Sequence, residues 1–403
     1  MAGDEARRIA LAAFGAAIGL GALGLGAITA RLVAGARDLV TPPPPARSGR
    51  MLAIGDGEVT LSRTAETALP GRYGMWTDDD RGYAKVGEVL REDSGRVTRE
   101  LIAVEDEPWV PGLVVRMGAA FYRSPEELGV PVEDVEVRTP LGPAPAWLVP
   151  AEPGGTADEW AILVHGRDAR RWETIRAVPM LREAGLSCLI VSYRNDPGAP
   201  ASPDGRYHLG EREWYDVEAA IAFAIAHGAK RITLCGWSMG GGIVMQLLRR
   251  SPLAAAVTRV LLDSPALDWR EVIRLLLERR RIPACLHGIF RGVLTSPRGA
   301  RLIGLDEPID LNRLDAVAAA DALRVPVLIL HSHGDDVVPI GPARDLAAAR
   351  PDLVELEEFA TGAHVRIWNL HRERYEAVIR DWLARTPGSP AQGSTLSAAS
   401  HLA

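Results

Sequence analysis

The chain of 403 residues has few cysteines, almost no lysine and no basic stripe interleaved with aromatic residues. Its three cysteines, Cys188, Cys235 and Cys285, are odd in number and scattered, which supports neither a disulfide framework nor a zinc site. Lys85 and Lys230 are the only lysines, a bias that we attribute to genome composition. A net charge of −6 without a basic stripe excludes the usual pattern of a nucleic-acid-binding protein.

Hydrophobic residues make up 47% of the chain and charged residues 24%, which is typical of a globular protein. One long apolar segment, Ile9 to Val33, carries a single charge at Arg31 and is long enough to span a bilayer as a helix. A cleaved signal peptide or a buried helix is the alternative, but the apolar run is long for a signal peptide. We therefore expect residues 1–36 to be a single-pass anchor in the cell membrane, with the membrane side of the remaining chain left open.

The segment between this anchor and the main domain has two parts. Residues 37–50 contain four consecutive prolines and are predicted to form a stiff linker. Residues 51–129 show short alternating runs separated by turn residues, which predicts a small β-rich region. We assign no chemistry to this region; it serves packing or interaction, or contributes to substrate choice. The tail, residues 385–403, has the composition of a disordered segment.

Residues 130–384 alternate between continuous apolar runs and amphipathic segments, which predicts a mostly parallel, doubly wound sheet covered by helices on both faces. The predicted strands after a first hairpin are Trp160–Val164, Leu186–Tyr193, Arg231–Cys235, Arg259–Leu262, Val325–Leu330 and Leu353–Phe359. The predicted helices are Trp172–Ala184, Glu213–His227, Gly241–Leu248, Pro342–Ala349 and Arg372–Ala384. An insertion at residues 265–324 has amphipathic character and is either a lid or a further covering layer.

A Gly-Trp-Ser-Met-Gly turn at residues 236–240 joins a predicted strand to a predicted helix. This context is that of a nucleophile elbow, in which a strained turn projects the serine hydroxyl. The glycines are required because side chains there would clash with neighbouring backbone. The sequence therefore predicts a nucleophilic serine at Ser238.

A serine hydroxyl needs a base to take its proton and an acid to orient that base. Downstream of the elbow, one predicted strand runs into Asp335 and Asp336, and the next runs into His364. Both positions lie at the carboxyl edge of the predicted sheet, beside the elbow. Serine, acid and histidine thus follow one another in the order used by α/β-hydrolases.

The chain resembles the α/β-hydrolase superfamily of serine esterases and peptidases, over roughly Val130 to Leu383. The family's His-Gly-x-x-Asp-x-Val-Val-Pro loop matches residues 331–339, with serine at position 332 where glycine is usual. This register implies Asp335 as the catalytic acid, with Asp336 in reserve. The family's Gly-x-Gly-His segment matches residues 361–364 in weakened form and implies His364 as the base.

His165 and Gly166, after the first predicted parallel strand, resemble the family's oxyanion loop. The resemblance implies the backbone amides of Met239 and Arg167 as the donors that stabilise a tetrahedral oxyanion. The Arg167 side chain either meets an anionic substrate or pairs with Asp168.

The sequence thus predicts a serine hydrolase that cleaves a carboxylic ester or related acyl bond in a small-molecule substrate, with no cofactor. Peptidase, thioesterase or acyltransferase chemistry uses the same residues, and a non-catalytic membrane-tethered binding protein is the alternative from another class. His331 and His333 imitate the start of a metal-binding His-x-His-x-Asp-His box, but aspartate replaces its last histidine, so we predict no metal. The oligomeric state is left open.

Overall fold

Two β-structures follow each other along the chain, a closed barrel and then an open sheet covered by helices on both faces. The computed structural model describes residues 28–43, 47–77, 81–105, 109–156 and 158–386. The barrel contacts the carboxyl edge of the sheet, and a cavity lies between them.

The barrel has six antiparallel strands in the order β1-β2-β5-β4-β3-β6, and it closes because β1 also pairs with β6. These strands are β1 (Gly49–Gly55), β2 (Glu58–Ser62), β3 (Tyr73–Thr77), β4 (Tyr83–Glu92), β5 (Arg96–Glu105) and β6 (Val114–Gly118). Alternate side chains point inward, as the buried Val59 and Leu61 do on β2. The β-rich character agrees with the prediction from alternation. Closure was not predicted, because it depends on pairing between segments far apart in sequence.

The open sheet has eight strands in the order β14-β13-β12-β11-β9-β10-β8-β7. They are β7 (Glu133–Thr139), β8 (Gly142–Val149), β9 (Glu159–Val164), β10 (Ser187–Val191), β11 (Arg231–Trp237), β12 (Val257–Asp263), β13 (Val327–Ser332) and β14 (Val354–Phe359). The first two strands form a hairpin, and β8 pairs antiparallel with β10. The remaining pairs are parallel. The carboxyl ends of β9, β11, β12, β13 and β14 therefore meet along one edge.

Helices cover both faces of this sheet. They are α1 (28–40), α2 (Val178–Glu183), α3 (Trp214–Ala226), α4 (Met239–Arg250), α5 (Trp269–Arg279), α6 (His287–Thr295), α7 (Pro297–Ile303), α8 (Gly341–Ala349), α9 (Ile367–Leu370) and α10 (Arg372–Arg385). On the central strand β9, Ile162 and Val164 belong to the core that contains α1, α3 and α4. Ala161 and Leu163 belong to a second core, with α2 and α10. Because both faces are covered, the central strands β9, β10 and β13 are buried at almost every position.

The segment predicted as one helix over Trp172–Ala184 is divided. A 3-10 helix covers Arg171–Ala177, and α2 begins at Val178 with a proline in its first turn. Pro179 has no backbone N–H to donate to the carbonyl of Ile175, so a continuous ladder of α-helical hydrogen bonds is interrupted here.

Helix α1 differs from the predicted division into an anchor up to residue 36 and a linker over 37–50. The helix continues through residue 40, and Leu32, Ala36, Leu39 and Val40 are buried in the hydrolase core. These residues recur at helical spacing, so α1 presents an apolar face to the sheet. Residues 1–27 of the predicted anchor, and 387–403 of the predicted tail, lie outside the described residues. Within the described part of the chain, no helix has both the length and the apolarity needed to span a bilayer.

Candidate active site

Ser238 lies in the tight turn between β11 and α4, with φ 52° and ψ −118°. Such a conformation costs a non-glycine residue of order 1–3 kcal/mol. The flanking glycines permit it: a Cβ on Gly240 would overlap the carbonyl oxygen of Val164, and one on Gly236 would lie 2.7 Å from the carbonyl oxygen of Gly240. The turn therefore has the strained geometry expected of a nucleophile elbow.

His364 lies between Ser238 and Asp335. Its Nε2 is 2.8 Å from Ser238 Oγ, and its Nδ1 is 2.7 Å from Asp335 Oδ2. The three residues follow β11, β13 and β14, whose carboxyl ends share one edge of the sheet. The fold thus brings the three predicted catalytic residues into hydrogen-bond contact.

The two neighbouring aspartates have different surroundings. Asp335 is buried, and its Oδ1 accepts the backbone amides of Val337 and Val338 at 2.9 and 2.8 Å. Burial alone would raise the pKa of Asp335, but the charge of His364 and the hydrogen bonds from His331 and His364 outweigh it and hold this pKa well below its usual range. Asp336 is exposed, and its carboxylate pairs with the guanidinium of an arginine on α5 at 3.0 Å. Of the two, only Asp335 contacts His364.

The ionisation of His364 gives a pH prediction. Burial disfavours its charged form, but the carboxylate of Asp335 has the larger net effect and raises the pKa of His364 above the usual value of about 6.5. A general base must be neutral, so kcat/KM should rise with pH and level off only above this raised pKa. A pH profile of ester hydrolysis measures this. An inflection well below 6.5 would contradict the assignment of His364 as the base.

The loop after β9 is fixed beneath Ser238 by buried polar contacts. His165 Nε2 lies 2.7 Å from Asp196 Oδ2, and its ring stacks on Tyr193 with centroids 4.3 Å apart. The Tyr193 hydroxyl donates to the carbonyl of Gly166 at 3.0 Å. A Cβ on Gly166 would lie 2.9 Å from Ser238 Cβ, so glycine allows this loop to approach the nucleophile. The sequence marked His165 and Gly166 but not their partners Asp196 and Tyr193.

The two predicted oxyanion donors lie on either side of Ser238 in this arrangement. Met239 is the first residue of α4, and the first amides of a helix have no intrahelical acceptor. Arg167 follows Gly166, and within the described ranges its backbone amide has no acceptor either. Both amides are thus available as donors next to the serine.

The Arg167 side chain is not directed at a substrate. Its guanidinium donates to the carbonyl oxygens of Leu39 and Asp38 at 2.8 and 2.9 Å, and to Asp168 at 2.6 Å. The last carbonyls of a helix are unsatisfied and carry partial negative charge, so a cation stabilises them. Arg167 therefore links the end of α1 to the loop that carries a predicted oxyanion donor.

A buried arginine that the sequence analysis missed supports the histidine loop. Arg176 donates to the carbonyl of Val365 at 3.0 Å and lies 3.6 Å from Asp263 Oδ2. Val365 follows His364 and has a positive φ of 57°, which is unfavourable for a β-branched residue. The carbonyl of Asp263 accepts the backbone amide of Ser238 at 3.0 Å. No motif marks Arg176, and its importance is visible only from its complete burial.

The two histidines that imitate a metal box have separate partners. His331 Nε2 lies 3.1 Å from the carbonyl of Val338, whereas His333 Nε2 lies 2.6 Å from Glu358. Elsewhere in the described ranges, one group of metal-ligating side chains lies within reach of a common ion: Asp204, His208 and Asp306. Its histidine is already hydrogen-bonded to Asp204 at 2.8 Å, and the group takes no part in the candidate site.

A cavity of about 470 Å³ opens onto Ser238 and His364. One wall comes from the hydrolase sheet and the other from the barrel, which contributes Trp76, Arg116 and residues 117–120. Trp76 stacks on Trp172 of the hydrolase with centroids 5.5 Å apart. The barrel thus forms part of the wall of the cavity that contains Ser238, which favours the second of its two predicted roles, a contribution to substrate choice.

The insertion at 265–324 does not line this cavity in the described structure. Its helices α5, α6 and α7 bury Leu277, Phe290 and Ile303 in the core that also contains α1. The amphipathic pattern of α5 therefore corresponds to a covering layer, the second of the two predicted interpretations.

The chain was compared with protein families and solved structures. The family model described as "Alpha/beta hydrolase family" matches residues 161–381, and one described as "Domain of unknown function (DUF8805)" matches 50–118. No curated protein matches the chain.

Two similar solved structures come from archaeal enzymes. An esterase of Pyrococcus furiosus has a TM-score of 0.50 and 17% identity, covering 66% of this chain and 96% of the esterase. An acylaminoacyl peptidase of Pyrococcus horikoshii has a TM-score of 0.50 and 15% identity, covering 88% of this chain and 58% of the peptidase. This chain therefore spans less than two thirds of the peptidase, and identities this low show a shared fold alone. The hydrolase family model, however, covers more than half of this chain, and we conclude that the chain belongs to the alpha/beta hydrolase family.

Proposed function

We propose that the protein is a serine hydrolase that cleaves a carboxylic ester or a related acyl bond. Ser238 Oγ attacks the acyl carbon while His364 Nε2 takes its proton, and Asp335 holds the imidazole in the required tautomer. The amides of Met239 and Arg167 stabilise the oxyanion of the tetrahedral intermediate. The bond to the leaving group breaks, and His364 returns the proton to that group. Water then repeats the sequence on the acyl-enzyme and releases the acid.

The observation that carries this proposal is the pair of contacts made by His364. Its two ring nitrogens lie 2.8 Å from a serine oxygen and 2.7 Å from a buried carboxylate, at the elbow geometry described above. A packing role alone does not require a strained serine, an oriented imidazole and a desolvated acid at one point. The non-catalytic alternative leaves this combination unexplained.

Acyl transfer to and from serine is common to esterases, thioesterases, acyltransferases and peptidases, so the leaving group is the part of the proposal with least support. The test uses the full chain, a fluorophosphonate probe and three matched substrates with one acyl group: an ester, a thioester and an anilide. We expect Ser238 to be the labelled residue and the ester to be the fastest substrate. Folded protein that remains unlabelled would favour the non-catalytic binding protein. Fastest cleavage of the anilide would favour a peptidase.

We also propose that the N-terminal apolar segment tethers the protein to the cell membrane as a single-pass anchor. The support is that residues 9–27, which precede α1, are apolar and uncharged and are long enough to span a bilayer as a helix. In membranes from cells that express the full chain, the protein should resist extraction by alkaline carbonate and be released by detergent. Release by carbonate alone would contradict the anchor.

A further inference from the structure

The cavity that opens onto Ser238 contains several charged side chains, and most of them already have partners. Arg167 pairs with Asp168 and with the end of α1, and Asp196 pairs with His165. Arg366 donates to Glu66 of the segment after β2 at 2.8 Å. The two remaining arginines lie over tryptophan rings, Arg116 over Trp76 at 4.7 Å and Arg170 over Trp172 at 4.9 Å.

Glu173 is different. It lines the same cavity and is half-buried, on the 3-10 helix that follows the oxyanion loop. Among the residues that the structure describes, its carboxylate has neither an ion pair nor a hydrogen bond, although its backbone amide donates to Arg170. A carboxylate in a partly enclosed space without a counter-ion has lost hydration and gained no replacement.

The negative charge of the Glu173 carboxylate affects the ionisation of His364 and Asp168. Burial and Asp335 have larger effects on the pKa of His364, but Glu173 contributes to raising it. It also contributes to raising the pKa of Asp168, which burial brings to about 6. Glu173 lines the same cavity as Ser238 and His364, so a cation bound to Glu173 would share that cavity with the bond that Ser238 attacks.

We infer that Glu173 is a specificity residue that binds a cationic group, an ammonium or a guanidinium, in the leaving group of the substrate. This inference rests on the proposed serine hydrolase function. The four arginines of the cavity are engaged elsewhere: Arg167 with helix α1 and Asp168, Arg366 with Glu66, and Arg116 and Arg170 with tryptophan rings. An unpaired carboxylate attracts a cation more strongly in a cavity than in open water, since the effective dielectric is lower.

The test uses two phosphonates that differ in the leaving group alone, choline or its neutral isostere 3,3-dimethylbutanol. In either case the Ser238 Oγ–phosphorus bond forms and the bond from phosphorus to the leaving alcohol breaks. The rates of Ser238 labelling are measured on the full chain, as wild type, as Glu173→Gln and as the control Glu136→Gln. Glu136 is exposed on β7 and does not line the cavity.

We expect the wild type and the Glu136→Gln control to react about tenfold faster with the choline phosphonate than with its isostere. In Glu173→Gln the two labelling rates should become equal. The rate with the choline phosphonate should fall, and the rate with the neutral isostere should stay within about twofold of its wild-type value. Equal rates for both compounds in the wild type would overturn the cation subsite and leave the hydrolase intact. A parallel fall of both rates in Glu173→Gln would assign the residue a structural role instead. If neither compound labels Ser238 in folded protein, the proposed function fails and the subsite fails with it.

Discussion

Replacing Ser238 with alanine should abolish labelling by fluorophosphonates and lower kcat for ester hydrolysis by about 10⁶-fold. The reason is that no other hydroxyl lies at the position from which His364 can take a proton in the described structure. The residual rate would come from the oxyanion amides and from substrate binding. The measurement is steady-state hydrolysis of an activated ester, together with mass analysis of the labelled protein.

The matched control for this substitution is Ser94→Ala. Ser94 is exposed in the turn between β4 and β5 and lies far from the cavity lining. It should retain wild-type labelling and rate. Alanine has a Cβ as serine does, so the backbone strain at position 238 is the same in both proteins. The thermal midpoint should therefore change little. Hydrolysis that persists in Ser238→Ala at more than one hundredth of the wild-type rate would remove Ser238 from the mechanism.

The second large effect is expected at Asp335. In Asp335→Asn, the carboxylate that accepts from His364 Nδ1 becomes an amide, which favours the wrong tautomer and no longer stabilises the imidazolium. We expect kcat to fall about 10⁴-fold with KM nearly unchanged. The acid limb of the pH profile should also move to lower pH, because the charge that raises the pKa of His364 is gone.

Asp336→Asn provides the adjacent control. This side chain has the same chemistry and differs by one position, but it is exposed and pairs with Arg279. Removal of an exposed ion pair costs about 0–1 kcal/mol, and the rate should stay within about threefold of wild type. If Asp336→Asn is the inactive variant and Asp335→Asn is active, the acid of the site has been misassigned.

Much of the hydrolase part could be predicted from sequence because its signals are local. The strands β9, β11 and β13 contain continuous apolar runs, and the Gly-x-Ser-x-Gly turn lies between a strand and a helix, the context expected of a nucleophile elbow. The order of Ser238, Asp335 and His364 adds a constraint that fixes which strand ends must meet. The apolar runs and the turn are recognisable from residues that are close together in the sequence.

What escaped prediction depends on contacts between distant segments. Arg176 lies in a stretch with several arginines, and only folding shows that it is almost completely buried and bonded to Val365 beside the histidine. The closed barrel and its position at the cavity depend on pairing between strands that are far apart in the sequence. No local hydrophobic periodicity indicates such pairing. The same is true of α1, whose apolar face was interpreted as the end of a bilayer segment because both environments select the same residue types.

The contact between Arg167 and the last carbonyls of α1 joins this helix to the loop that follows Gly166. Helix α1 contributes side chains to the hydrolase core. Its last carbonyls accept hydrogen bonds from the guanidinium of Arg167, which lies in the loop beside Ser238. A displacement of α1 would therefore also move the loop beside Ser238. A variant with a different N-terminal segment should keep the chain from residue 28 onward unchanged, because α1 is part of the core.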